Sequence, residues 1–397
     1  MNSQEENVVN SINVKGMIEY AQRLIRSKSI NPPADYSEIS QIALEEQRKI
    51  GLDVAFFEGH PGKINVFGLL RGSDSKGEVL CLSGHMDVVP PGDERTWKHP
   101  PFAAQIHDNK VWGRGAADMK CALAAQLYAL DAVKRASVPL RGTVMIGNTV
   151  DDETAGVWGM KYMIEGGLAT KGWPLPTFHL LGEANHLNIT VSFKGRLWFR
   201  ITTLGKSAHG GSPESGINAI DNMIKLTEKF KGISKTKHPL MGEDTLNLGV
   251  LKGGLKVNMV PAECEAHFDF RMCSPADTEC SLRRFKDAIK QLETEAPDLN
   301  VGDFEIYERR DPVEADFNHP AVKTMKSCIR DVTGKDPTLG AALSAGDQYH
   351  TLKAGIPGIW TGPGDINILH QMDEYIDLDE VVQAAKIYAL FIQRVCA

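Results

Sequence analysis

Cysteine is scarce in this chain of 397 residues, and it follows no pattern. The seven (Cys81, Cys121, Cys264, Cys273, Cys280, Cys328 and Cys396) are odd in number, scattered and never spaced as CxxC. That argues against a disulfide framework and a thiolate metal cage, and the expectation is reduced, mostly buried thiols. No uninterrupted apolar stretch approaches the ~18 residues that a span requires, so no membrane partner is expected. Positive charge is not in excess: 44 basic against 51 acidic residues give a net charge of -7, which argues against nucleic acid as a partner. The opening "MNSQEENVVNS" lacks the basic and apolar regions of a secretory signal, so a cytoplasmic location is expected. There is no GxSxG elbow, which argues against a serine hydrolase. "GPGD" at 362–365 lacks the Lys and Ser/Thr that would follow in a phosphate loop. Repeats and low-complexity tracts are absent too.

What is present is a soluble, globular composition, 42% hydrophobic and 24% charged, in a chain long enough for roughly two domains of about 150 to 200 residues. "VKGMIEYAQRLIRSKSI" carries apolar residues at helical spacing, and a second helix, 37–50, follows the proline-marked loop "NPPADYSE". Short β-type runs come next: "LDVAFFE", "INVFGLLRG" and "EVLCLSGHMDVV", the last closed by Pro90, Pro91 and Gly92. A long helix is expected from Asp118, then strands in "RGTVMIGNTVDDE" and "FHLLGEAN". Alternating strands and helices imply a largely parallel sheet, whose strand C-termini are where such folds gather their functional residues.

From about residue 188 the texture changes to an order β-α-β-β-α-β, that of a ferredoxin-like unit inserted into the first domain. The expected organisation is therefore residues 1–187 and 309–397 as one α/β domain and 188–308 as an insertion.

The acidic and histidine residues at expected strand ends and loop junctions are His85, Asp87, Asp118, Asp151, Asp152, Glu153, Glu183 and His370. Any one alone is more often a hydrogen-bonded turn residue than a ligand, and Asp151 to Glu153 alone more often a helix N-terminus favouring negative charge. Together they form a mixed imidazole and carboxylate set suited to zinc, manganese or cobalt. A bridging carboxylate would support two ions about 3.5 to 4 Å apart.

The stretches "SGHMDVVPPGDERTWKHPPFAAQIHDNKVWGRGAADMKC", "TVDDETAG", "LLGEAN", "KSAHGGSPESGINAI", "KVNMVPAECEAHFDFR" and "SAGDQYH" through "LHQMDEY" resemble, in order and over nearly the whole chain, one family. It is the co-catalytic metallohydrolase family of acetylornithine deacetylase, succinyl-diaminopimelate desuccinylase, aminoacylase and glutamate carboxypeptidase. The resemblance implies a metallopeptidase-like α/β catalytic domain with a mixed, largely parallel sheet and an inserted ferredoxin-like α+β lid and dimerisation domain. It implies one metal site from His85, Glu183 and Asp118 and another from Glu153, His370 and the same Asp118. Asp87 would orient His85 through its carboxylate, and Asp152 would be the general base. His209 would stabilise the oxyanion in a neighbouring subunit of a homodimer, and Asn258 and Arg271 would bind a substrate carboxylate.

One position departs from the family pattern. The acidic pair there is usually Glu-Glu, whereas this chain has Asp152-Glu153, and a carboxylate drawn back by roughly 1.5 Å could cost on the order of 100-fold in rate. Asp151 is an alternative base, although the flanking "TV" and Gly156 favour Asp152. The expected function is a metal-dependent amidohydrolase acting on a small carboxylate-bearing substrate such as an N-acyl amino acid or dipeptide. The alternatives are an aminohydrolase releasing ammonia from an amino-substituted aromatic acid and a non-catalytic metal-binding family member.

Overall fold

The computed structural model describes residues 1–154, 156–233, 235–274, 278–344 and 346–397. They form two compact units: one of residues 1–191, 315–340 and 346–397, the other of 192–314 and 341–345.

The larger unit is built on one sheet. Val79–His85, Thr143–Thr149, Phe178–Leu181 and Gly358–Trp360 run parallel, in the spatial order Thr143–Thr149, Val79–His85, Phe178–Leu181, Gly358–Trp360. Antiparallel strands flank this centre: Lys63–Leu70 and then Asp53–His60 on one side, Ile189–Phe193 on the other. The parallel strands are buried along their whole length, so they read as near-continuous apolar runs.

The helix Cys121–Arg135 lies in the same core. Its alanines at 122, 124, 125, 129 and 132 admit close neighbours, and Leu123, Leu127 and Leu130 fill the remaining space. Truncating one of these leucines to alanine would cost ~2–5 kcal/mol. The helix Leu378–Cys396 shares that core, and Ser37–Ile50 ends at Gly51, whose φ of 82° supplies the left-handed cap.

Two details differ from the sequence reading. Ser3–Asn10 is a short helix, started by an Asn2 and Glu5 capping box. Asp118 does not begin the long helix: it sits at φ -124° and ψ 87°, in an irregular Ala116–Lys120 segment, and the helix proper starts at Cys121. The reason is a long-range contact. The N–H groups of Ala117 and Asp118 are drawn to Glu374 Oε1, so the chain there follows a side chain rather than a helical repeat.

The smaller unit is a four-stranded antiparallel sheet with the order Thr245–Gly253, Glu263–Met272, Gly195–Leu204, Asn300–Arg310. With the helices Ala219–Lys231 and Thr278–Glu295 it has the β-α-β-β-α-β order of a ferredoxin-like fold. Phe199, Phe230, Phe268 and Phe285 form its centre, with Phe230 and Phe285 edge to face at 5.0 Å. Along Glu263–Met272 alternate residues are buried, which leaves Asp269 and Arg271 together on the opposite face.

Candidate metal and catalytic site

Three of the four parallel strands of the larger unit end close to a titratable residue of the site. His85 closes its strand, Asp151 to Glu153 follow Thr149, and Glu183 follows Leu181. His370 comes later, beyond the strand that ends at Trp360. The sheet gathers these ends at one edge, and the residues meet there in two groups that share Asp118: His85, Asp118 and Glu183, and Asp118, Glu153 and His370.

The distances show how Asp118 is shared. Its Oδ1 lies 3.0 Å from His85 Nε2, its Oδ2 3.1 Å from His370 Nε2. Glu183 Oε1 is 3.1 Å from His85 Nε2, and Glu153 Oε2 is 3.3 Å from His370 Nε2. His85 is buried, whereas the His370 side chain is 52% exposed and rests on a backbone with φ of 63°.

His85 is backed by Asp87. Its Nδ1 is 2.9 Å from the main-chain oxygen of Asp87, while the Asp87 carboxylate stands 3.6 Å away. A carbonyl only accepts, so Nδ1 carries a hydrogen and Nε2 faces Asp118 and Glu183, donating to them when protonated and free to turn its lone pair to a cation once that proton is lost. The Asp87 carboxylate also holds the acidic loop: its Oδ2 accepts the Glu153 N–H at 3.1 Å and the Asn31 side-chain amide at 2.8 Å.

The charges in this pocket are crowded. Burial, then the negative charge of Asp118, pushes Glu183 up to about 8 and Glu153 to about 7. Burial opposes ionisation of Asp118, but hydrogen bonds from His370 and His85 hold it well below the usual carboxylate range. The Asp118 hydrogen bond, then that of Glu153, raises His370 to about 10. For His85 burial acts the other way, and Glu183 and Asp118 still hold it well above its ordinary value. A proton on imidazole and a cation among the carboxylates balance the same charge, which is why such donors exchange protons for metal. Glu153 Oε1 is buried and accepts no hydrogen bond. Two histidines, three carboxylates and that unsatisfied oxygen fit a pair of divalent ions.

Of the two candidate bases, Asp151 is committed elsewhere. Its Oδ1 pairs with Lys63 at 2.8 Å and accepts the Thr154 hydroxyl at 2.7 Å, and its N–H donates to the Tyr36 hydroxyl. Asp152 is half-buried in the following turn, and the charge of its carboxylate reaches both Glu183 and Asp347.

The remaining candidates lie in the smaller unit. His209 is exposed, and its Nδ1 accepts the Gly211 N–H at 3.0 Å, which leaves Nε2 as a donor. The Asn258 loop lies against it, Gly210 N–H donating to Asn258 O at 2.9 Å. Arg271 is already engaged: Nε and Nη2 hold the Asp269 carboxylate at 2.8 and 3.0 Å, and Nη1 donates to Leu343 O at 3.2 Å. That pairing follows from the strand, which puts residues 269 and 271 on one face.

Sequence reasoning missed Asn31, Lys63, Arg114, Asp347 and Glu374. Arg114 and Glu374 stand inside the quoted motifs "WGRGAADMKC" and "LHQMDEY", which was the available signal. Lys63 gave none.

Two donor groups joined by one carboxylate, at the C-terminal edge of parallel strands, point to a class: metal-dependent hydrolases on an open α/β sheet. Residues 81–394 match Peptidase family M20/M25/M40, and the chain belongs to that family; membership implies divalent metal ions. It is 26% identical to N-formyl-4-amino-5-aminomethyl-2-methylpyrimidine deformylase of Bacillus subtilis, over 96% of this chain and 95% of that one. It is 30% identical to a probable succinyl-diaminopimelate desuccinylase of Staphylococcus aureus, over 78% and 81% of the two chains. The fold is also that of a tripeptidase from Staphylococcus aureus, with a TM-score of 0.80, 21% identity and coverage of 97% and 99%.

Proposed function

We propose that this chain hydrolyses the C–N bond of an amide in a small, carboxylate-bearing substrate such as an N-acyl amino acid or dipeptide. The observation that carries the reading is the sharing of Asp118, one oxygen toward each of two histidines. Membership of the metallopeptidase family and the amide-cleaving names of its relatives support it. His85, Asp118 and Glu183 would hold one ion and Asp118, Glu153 and His370 another. Zinc, manganese and cobalt all suit these donors. Bound ions would acidify water and polarise a carbonyl.

The protein's own groups do the rest. An Asp152 carboxylate oxygen takes a proton from the attacking water and returns it to the departing nitrogen. The Asp87 carboxylate keeps the Glu153 backbone in place behind it. His209 Nε2–H, reaching the site of the neighbouring subunit, donates to the carbonyl oxygen as negative charge develops there, and Asn258 and Arg271 bind the substrate carboxylate, Arg271 by exchanging Asp269 for it.

The chain is proposed to act as a cytoplasmic homodimer through the smaller unit. Thr245–Gly253 is an outer strand of that sheet, and Leu251 within it and Leu255 and Val257 just after it are exposed. Unpaired cysteines favour a reducing compartment. Among the described residues, no helix is long and apolar enough to cross a membrane.

The deciding experiment is turnover of N-acyl amino acids, dipeptides, formamides and aminobenzoates by zinc-, manganese- and cobalt-loaded protein, with separate assays for amine, acid and ammonia. Acid plus free amine is the expected outcome. Ammonia from an aromatic amine would replace this reading with aminohydrolase chemistry suited to the shorter Asp152, and no turnover in any arm would leave a metal-binding protein.

A further inference from the structure

Neither Asp118 nor His370 is held by regular secondary structure, yet their imidazole and carboxylate meet within 3.1 Å. One buried ion pair touches the backbone of both. Arg114 Nη1 lies 2.5 Å from Glu374 Oε2, with side chains 3% and 0% exposed. The other carboxylate oxygen, Glu374 Oε1, accepts the N–H of Ala117 at 2.9 Å and of Asp118 at 3.1 Å. The other arm of the guanidinium, Nη2, donates to the main-chain oxygen of His370 at 3.1 Å. Trp97 lies under that guanidinium, 5.2 Å from ring centroid to Cζ, and its Nε1–H is tied to Pro91 O at 2.9 Å.

A buried ion pair gives little net stability over apolar packing, because desolvation cancels most of the attraction. What this one supplies is geometry. A planar guanidinium fork fixes two acceptors relative to one another, which a lysine ammonium on a flexible stem does not. The two acceptors here are the carboxylate that sets Asp118 and the carbonyl of His370.

We propose that Arg114 and Glu374 are the positioning residues of the Asp118, Glu153 and His370 metal group, holding the shared carboxylate and the exposed histidine in register. The proposal rests on the reading that the two donor groups bind divalent ions. Residues of this kind, which orient ligands without touching the ion, typically change metal affinity by about 10- to 100-fold.

Cobalt(II) titration of metal-stripped protein, followed by visible absorption and calorimetry, tests this. Wild type is expected to bind two equivalents, and His370→Ala to lose the one belonging to its group. Arg114→Lys keeps the charge beside Glu374 but not the second arm. It is expected to bind the His85 equivalent as wild type does and the other at least about tenfold more weakly. Glu374→Gln, which loosens Asp118 itself, is expected to weaken both. A general loss of structure would not select one equivalent. Should Arg114→Lys fail to fold, Trp97→Leu leaves both charges in place and is expected to weaken the His370 equivalent by about threefold. Binding of both equivalents at wild-type affinity in the folded variants would overturn the proposal. Failure of wild type to bind cobalt would instead remove the metal reading on which it rests.

Discussion

Lys63 Nζ lies 2.8 Å from Asp151 Oδ1, and this ion pair separates the roles of two adjacent aspartates. Asp151 is anchored, by Lys63, by the Thr154 hydroxyl and by its own N–H on Tyr36. Asp152 then projects from a loop whose backbone is already fixed on both sides, since the next N–H, that of Glu153, is bound to Asp87.

Asp152→Ala should therefore lower kcat by roughly 10²- to 10⁴-fold, the usual worth of a positioned acid or base. Metal content, read by elemental analysis, should stay near wild type. Retained turnover would remove Asp152 from the role of base. Asp151→Asn should act differently, lowering thermal stability and loosening the loop.

The space around Asp152 is limited by Gly346. A Cβ added there would lie 3.2 Å from Asp152 Oδ1, and the φ of 45° is one that side chains seldom adopt. Gly346→Ala should displace the carboxylate and lower kcat by roughly 10- to 100-fold, since misplacement by about 1 Å has effects of that size. Steady-state kinetics at full metal loading measure this, and an unchanged kcat would mean that the loop absorbs the crowding without moving Asp152.

His209→Ala should reduce kcat by roughly 10²-fold, as loss of one oxyanion donor does. Metal affinity should not change, because the histidine is in neither donor group. Weakened metal binding would show that His209 is a ligand rather than a donor to substrate.

His179 offers a test of stability against pH. It is buried, bonded to Ser83 Oγ at 2.6 Å and Thr351 Oγ1 at 3.1 Å, and burial pushes it from 6.5 down to about 3. The unfolded chain thus binds a proton that the folded chain refuses. The neutral side chain's contribution is fully present above pH 6.5 and is lost as the pH falls toward about 3. Through that window it adds a slope of up to about 1.4 kcal/mol per pH unit. His179→Gln should flatten the acid side of the unfolding curve by that amount, as measured by denaturant titrations between pH 4 and 7. Parallel curves for the two proteins would show that His179 is protonated in the native state.

Much of the fold could be read from local pattern. Apolar runs ending in "SGHMD", "TVDDE" and "LLGEAN" announced parallel strands, because a strand buried on both faces has no polar side. The alternation along "ECEAHFDFRM" announced a half-buried strand of the ferredoxin-like unit, because side chains there change face at every residue. Asp118 was misread as a helix start because the helical spacing beyond it is real, and nothing local reveals that a glutamate 256 residues away takes up its N–H.

The sequence by itself therefore determined the types of element, the ferredoxin-like order and the presence of imidazoles and carboxylates where strands end. These follow from periodicity and turn chemistry within a few residues. Only the tertiary structure decided which of those groups meet. The spatial order of the strands is a long-range property, and so are the partnerships of Lys63 with Asp151, 88 residues apart, and Arg114 with Glu374, 260 apart. Such pairs form because burial leaves a charge no alternative to a partner, and what is buried together is known only once the chain has folded.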